Sequence, residues 1–181
     1  MSLLLITTLV FANQLEANLQ LPDSTCTELL GNCTWYTRCL QAYYPTCDSQ
    51  EDYPPLGYYF CTRYEQNLHL FSEKAKIFVN RTKLCLQYAL LPYVGENGTA
   101  LTCEQLKQAA FDTHAPCYVN CGFCEISVWD YFSVLKVIAP AFGTEFGELM
   151  KEILRILWKC LTGVILYTPG ECYGSNSSVG T

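Results

Sequence analysis

The sequence predicts an all-α fold: a compact, disulfide-rich domain of about five or six helices. Three observations predict it. Twelve cysteines, an even number, are spread over most of the 181 residues. Apolar residues recur at helical spacing in several segments, each bounded by a capping residue or a proline. No segment alternates strongly between apolar and polar residues, as a half-buried strand would.

Composition sets the outer limits. The length is that of one domain, and half of the residues are hydrophobic, enough for a core. Charged residues make up 15% and the net charge is −6. An acidic chain with scattered Lys and Arg repels phosphate backbones, so nucleic acid is excluded as a partner. Residues 3–11 form a short uncharged apolar run, and Val10 with Ala12 fits a small-residue cleavage site. Residues 1–12 therefore read as a signal peptide, although the usual basic n-region is missing. The run is too short to span a bilayer, which takes roughly 20 apolar residues. A secreted, extracellular protein without a membrane span is expected. Four sequons, at Asn32, Asn80, Asn97 and Asn176, predict a glycoprotein. In that compartment the cysteines read as a disulfide framework. Residues 13–167 would form the domain, and the Gly- and Ser-rich stretch 168–181 a flexible polar tail.

The elements follow in chain order. Residues 24–44 read as a helix capped by Ser24, with Leu29, Cys33, Tyr36 and Leu40 on one face and Pro45 at its end. A polar loop over 46–55 carries Pro54 and Pro55. Helical pattern resumes near Gly57 and runs to about Leu70. Ser72 caps the next helix, whose face is Phe78, Thr82, Cys85 and Ala89 and whose stop is Pro92. Residues 95–98 make a turn. Thr102 with Gln105 is a capping box. Its helix is expected to run to about Thr113 and to be interrupted by Pro116. Ser127 caps 128–139, ended by Pro140. Thr144 opens a last helix with an apolar stripe of Phe146, Met150, Ile153, Leu157, Cys160 and Val164. Lys151, Arg155 and Lys159 punctuate that stripe, which favours core packing over membrane contact.

Catalytic signatures are sparse. Only two histidines occur, His69 and His114, and there is no HExxH, GxSxG or phosphate-binding glycine loop. Cys121-Gly-Phe-Cys124 has the spacing of a thioredoxin-type pair, but that chemistry needs a βαβ setting, and half-cystines of different bridges fit better. His114, Cys117, Cys121 and Cys124 are close enough for zinc, yet an oxidising compartment favours disulfides. His114-Ala-Pro-Cys-Tyr118 resembles the His-Asp-x-Cys-Tyr of secreted phospholipases. Here Ala115 replaces the activating carboxylate, and no calcium loop precedes it. Asp48, Glu51 and Asp52 lack the EF-hand pattern and read as a solvated loop. No enzyme activity, metal or cofactor is expected.

The cysteine spacing and its surroundings resemble the stanniocalcins, secreted glycoprotein hormones linked to calcium and phosphate balance. The stretch 58–124 carries the likeness: Tyr59-Phe-Cys61, Phe71-Ser72, Phe78-Val79, Lys83-Leu-Cys85, Cys103, Cys117-Tyr118 and Cys124. Gly31-Asn-Cys33, Cys39, Cys47 and residues 155–160 extend it. The resemblance implies the bridges Cys26–Cys39, Cys33–Cys61, Cys47–Cys103, Cys85–Cys117 and Cys124–Cys160. Cys121 has no counterpart in the family. Family members dimerise through a late unpaired cysteine, a part open to Cys172. Cys172 is equally placed to reach back to Cys121.

The resemblance implies a hormone-like ligand or extracellular regulator. It would act by binding a cell-surface receptor or a secreted protein, including a protease, and a homodimer stays open alongside the Cys121–Cys172 closure. Tyr43, Tyr44, Tyr53, Tyr58 and Tyr59 around the prolines are candidates for partner contact or for packing. The alternative is a secreted carrier of apolar ligands, because small helical domains often enclose a cavity.

Overall fold

The computed structural model describes residues 24–95, 100–144, 146–162 and Cys172. The expected signal peptide, Asn97, Asn176 and the tail other than Cys172 lie outside the described residues. All regular structure among the described residues is helical. The elements are α1 (Ser24–Glu28), a π-helical turn (Tyr36–Leu40) running into α2 (Gln41–Tyr43), α3 (Tyr53–Gln66), α4 (Glu73–Leu90), α5 (Cys103–Asn120), α6 (Val128–Ile138), α7 (Ala141–Thr144) and α8 (Phe146–Thr162). Helix α5 packs against α4 on one side and α8 on the other, and α3 lies across the π-helical turn, α5 and α6. No helix of the described residues is long and apolar enough to cross a membrane.

Local chemistry explains most boundaries. Ser72 caps α4, its hydroxyl accepting from the Ala75 amide at 3.2 Å. At α5 the Thr102 hydroxyl accepts from the Gln105 amide, and the Gln105 side chain accepts from the Thr102 amide at 2.9 Å. Ser127 and Asp130 form a second such box at α6.

Four expectations are corrected. The helix expected over 24–44 is broken. Gly31 adopts φ 85°, a left-handed conformation that glycine reaches without strain. The fully buried Gln87 of α4 holds this turn by accepting from the Gly31 amide at 2.6 Å and donating to the Asn32 carbonyl at 2.9 Å. The prolines expected in a loop sit in the first turn of α3, where a missing N–H leaves no bond unmade. Pro116 does not end its helix, which continues to Asn120. The residue after it, Cys117, is bonded to Cys85 of α4, so tertiary attachment outweighs the lost backbone bond. Finally, among the described side chains of α8 the buried ones are Glu152 and Ile156, whereas Leu157 of the expected stripe is 45% exposed.

Two apolar clusters make the interior. One gathers the N-terminal turns around Trp35, with Tyr36, Leu40, Tyr53, Leu90 and Leu106. The Trp35 indole is wholly buried and donates to the Cys26 carbonyl at 3.0 Å. The other cluster joins α4, α5, α6 and α8 through Phe71, Phe78, Ala115, Val134, Val137 and Ile156.

A single carboxylate couples two helix starts. Asp130 is buried and accepts from the Ser127 hydroxyl (2.6 Å) and amide (3.1 Å), and from the Ser72 amide and hydroxyl, both at 2.8 Å. It therefore serves the N-termini of α4 and α6, where the helix dipoles favour negative charge. Burial acts to raise its pKa, but the bonds from Ser127 and Ser72 hold it below the usual value. Asp130→Ala is expected to cost about 2–4 kcal/mol in urea denaturation. A depressed carboxyl stabilises above its unfolded pKa of about 3.9, and that contribution is lost as pH falls through the lower folded value. Asp130→Asn should accordingly lose less stability than the native chain below about pH 4. Superimposable acid limbs would contradict this role.

Candidate functional site

Between the two clusters lies a cavity of about 280 Å³. Its walls come from the π-helical turn (Tyr36), α3, α4, α5, α6 and α8, and they are mostly aromatic and aliphatic. Residues of both cores contribute: Tyr36 and Tyr53 from one, Phe78, Val79, Val134 and Ile156 from the other. The size is close to the lower end of small-molecule sites, roughly 300–1,000 Å³. Among the lining residues, Glu65, Leu135 and Leu157 are exposed and mark where the cavity meets solvent.

The polar members of the wall are few. The hydroxyls of Tyr64 and Tyr118 bond to each other at 3.1 Å. Burial raises the pKa of Tyr36, Tyr53, Tyr64 and Tyr118, keeping these phenols neutral. His114 stacks on Phe111 with ring centroids 5.3 Å apart, and its Nδ1 meets the Ala110 carbonyl at 2.9 Å. A carbonyl only accepts, so Nδ1 carries the hydrogen and Nε2 is left as an acceptor. Burial lowers the His114 pKa. Glu152 of α8 gives one oxygen to Arg155 at 2.7 Å. Burial raises its pKa, against the pull of Arg155. Gly57 of α3 shapes the wall: a Cβ there would meet the Tyr36 ring at 2.6 Å, so the ring lies directly on the helix backbone.

The expected site residues fall as follows. The cysteines are joined Cys26–Cys39, Cys33–Cys61, Cys47–Cys103, Cys85–Cys117, Cys124–Cys160 and Cys121–Cys172. Cys172 thus meets Cys121 in its own chain, and none of the twelve is left for a link between chains. Cys117, Cys121 and Cys124 belong to three different bridges, so neither a redox dithiol nor a zinc thiolate set is assembled there. Cys33, Cys61 and Glu65 cluster like metal ligands, but the two sulfurs are bonded to each other. Asn32 and Asn80 are exposed. Asp48 and Glu51 are exposed, and Asp52 accepts from the Ser49 amide. Of the tyrosines near the prolines, Tyr44 and Tyr53 are buried, while Tyr58 and Tyr59 are partly exposed and Arg63 stacks over Tyr59.

Two sets of exposed apolar side chains were not foreseen from the sequence, one on α6 and one on α8. They are Trp129, Phe132 and Leu135 on α6, and Leu154, Trp158 and Leu161 on α8; Trp129 and Trp158 are 76% and 68% exposed. A helical-wheel reading of 128–138 would have shown Trp129 and Phe132 opposite the buried Val134 and Val137. No family model, curated protein or solved structure matches the chain.

Two outcomes follow. Gly57→Ala is expected to destabilise by about 1–3 kcal/mol, because the Tyr36 ring and the helix cannot both stay in place. Thermal or urea unfolding measures it. For His114, a lowered pKa means that its contribution is complete above the unfolded value of about 6.5 and declines as pH falls toward the folded value. The Tm of His114→Phe relative to the native chain should therefore rise between pH 7 and pH 5, and a pH-independent difference would show that the imidazole is solvated.

Proposed function

We propose that this chain is a secreted, disulfide-framed glycoprotein of the stanniocalcin type, a hormone-like ligand or extracellular regulator that works by binding another protein. The observation that carries the reading is the exposed aromatic and aliphatic side chains of α6 and α8, Trp129 and Trp158 foremost. On α6 the rings of Trp129 and Phe132 lie 6.0 Å apart and form an exposed apolar cluster; such clusters mark interaction sites, and tryptophan is among the residue types most enriched in binding hot spots. The helices presenting these side chains are held rigidly, α8 by Cys124–Cys160 and α6 by Asp130 and by Arg63, which donates to the Val137 carbonyl at 2.9 Å. A surface pre-organised in this way loses little entropy on binding. The disulfide framework supports export, because such bonds persist in oxidising compartments. The partner class is a cell-surface receptor or a secreted protein, and the physiological setting implied by the resemblance is calcium and phosphate balance.

Expression of the whole chain in secretory animal cells tests the reading. The protein should reach the medium carrying N-glycans at Asn32 and Asn80, removable by glycosidase. The labelled product should bind responsive cells saturably and lose that binding when the cell surface is treated with protease. Trp129→Ser with Trp158→Ser should weaken binding at least tenfold without lowering Tm, since both rings are already in solvent. Retention inside the cell, or binding indifferent to the double substitution, would overturn it.

A further inference from the structure

Asn80-Arg81-Thr82 is an acceptor sequon, yet it lies in the middle of α4 and not in a surface loop. Asn80 is exposed there, whereas Thr82 is 5% exposed and belongs to the buried row Ala75, Phe78, Val79, Thr82 and Cys85. The Thr82 hydroxyl is buried and has no hydrogen-bond partner among the described residues. Buried polar atoms are almost always paired, and an unpaired one is costly. Valine has the same shape without the hydroxyl, so packing alone favours valine at this position. The finished fold supplies no use for the oxygen.

The sequon supplies one. Transfer of a glycan to asparagine requires a hydroxyl residue two positions on, so the transferase has to engage both side chains together. In an α-helix, residues two apart point about 200° away from each other and do not meet. In α4 the Asn80 side chain stands in solvent and the Thr82 side chain in the core. The sequon at Asn32 shows the opposite arrangement: Asn32 Oδ1 accepts from the Thr34 amide and hydroxyl, both at 2.9 Å, so that pair stands together in an exposed turn. Helix formation and packing therefore close the Asn80 sequon. Cys85, three residues beyond Thr82 on the same row, is bonded to Cys117 of α5, and that bond fixes α4 in the closed arrangement.

We propose that Asn80 accepts its glycan only on the unfolded chain, before α4 packs and Cys85–Cys117 closes, and that Thr82 is kept for this step and not for the fold. The donor is an oligosaccharide carried on a polyprenyl diphosphate. The Asn80 amide nitrogen bonds to the anomeric carbon of the first sugar. The bond from that carbon to the diphosphate oxygen breaks, the amide gives up one proton, and the polyprenyl diphosphate leaves with the electron pair. Folding then seals Thr82 in the core and leaves the glycan on the outer face of α4. The inference rests on the secretory reading above, which brings the chain to the transferase, and it involves neither Trp129 nor Trp158.

The test offers the whole chain, purified free of glycan, to an oligosaccharyltransferase with a lipid-linked oligosaccharide, and reads occupancy of Asn80 by peptide mass spectrometry. The reduced and alkylated chain should be modified at Asn80. The oxidised native chain should be modified at least about a hundredfold more slowly, because the reaction has to wait for α4 to open. In animal cells, with medium and lysate pooled, Thr82→Val should lose the Asn80 glycan and Thr82→Ser should keep it. In an Asn80→Gln background, where this glycan is absent from both chains, Thr82→Val should leave Tm level or raise it. Equal modification of native and unfolded chains, an unfolded chain left unmodified at Asn80, or a Tm lowered by Thr82→Val would overturn it. The transferase assay involves neither export nor partner binding, so retention of the chain in cells counts against the functional reading alone.

Discussion

Helix α5 is fixed along its length by covalent bonds, and the rest of the structure is arranged around that constraint. Its first residue, Cys103, is joined to Cys47 beyond α2, Cys117 in its last turn to Cys85 of α4, and Cys121 just past its end to Cys172. Cys124, in the turn that follows, holds α8. In the chain-entropy model the 56-residue separation of Cys47 and Cys103 alone is worth about 4 kcal/mol. With α5 held in this way, α4 and α8 cannot drift apart from it. The two apolar clusters are then kept as neighbours without having to merge into one continuous core.

That arrangement accounts for the space between them. A core that forms by collapse alone closes its voids, because each void forfeits dispersion contacts. Here, apart from Cys61 of the Cys33–Cys61 bridge, the bridged cysteines do not line the cavity among the described residues, and large rings line it without filling it. Gly57 permits Tyr36 to lie against α3, and the half-buried pair Tyr64–Tyr118 bridges α3 to α5 across the same region. The wall is therefore stiff as well as apolar, which suits a binding site better than a deformable core.

Much of the architecture was legible because it is local. Ser72, Thr102 and Ser127 announce helix starts through side-chain chemistry that acts within four residues, and all three cap their helices. Two of the corrections arise where a distant residue decides the outcome. Gly31 breaks the first helix because Gln87, 56 positions away, bonds its amide. Pro116 is tolerated because its neighbour is bonded to α4. The role of Asp130 at α4 was invisible, since Ser72 lies 58 residues away. For the same reason the cavity could be named as a class of possibility but not located. Thr82 reads from the sequence as one member of an apolar helix face, and nothing in the local pattern singles out Glu152. Only assembly of α4 and α8 on α5 makes both buried lining residues.

The account rests on the covalent frame, and peptide mapping by mass spectrometry without reduction reads that frame directly. It predicts six cross-linked peptide pairs, including Cys121 with Cys172 in the same chain, and no free thiol. Free thiols at Cys117, Cys121 or Cys124, or Cys172 linked between chains, would contradict it and would remove the constraint that holds the two cores side by side.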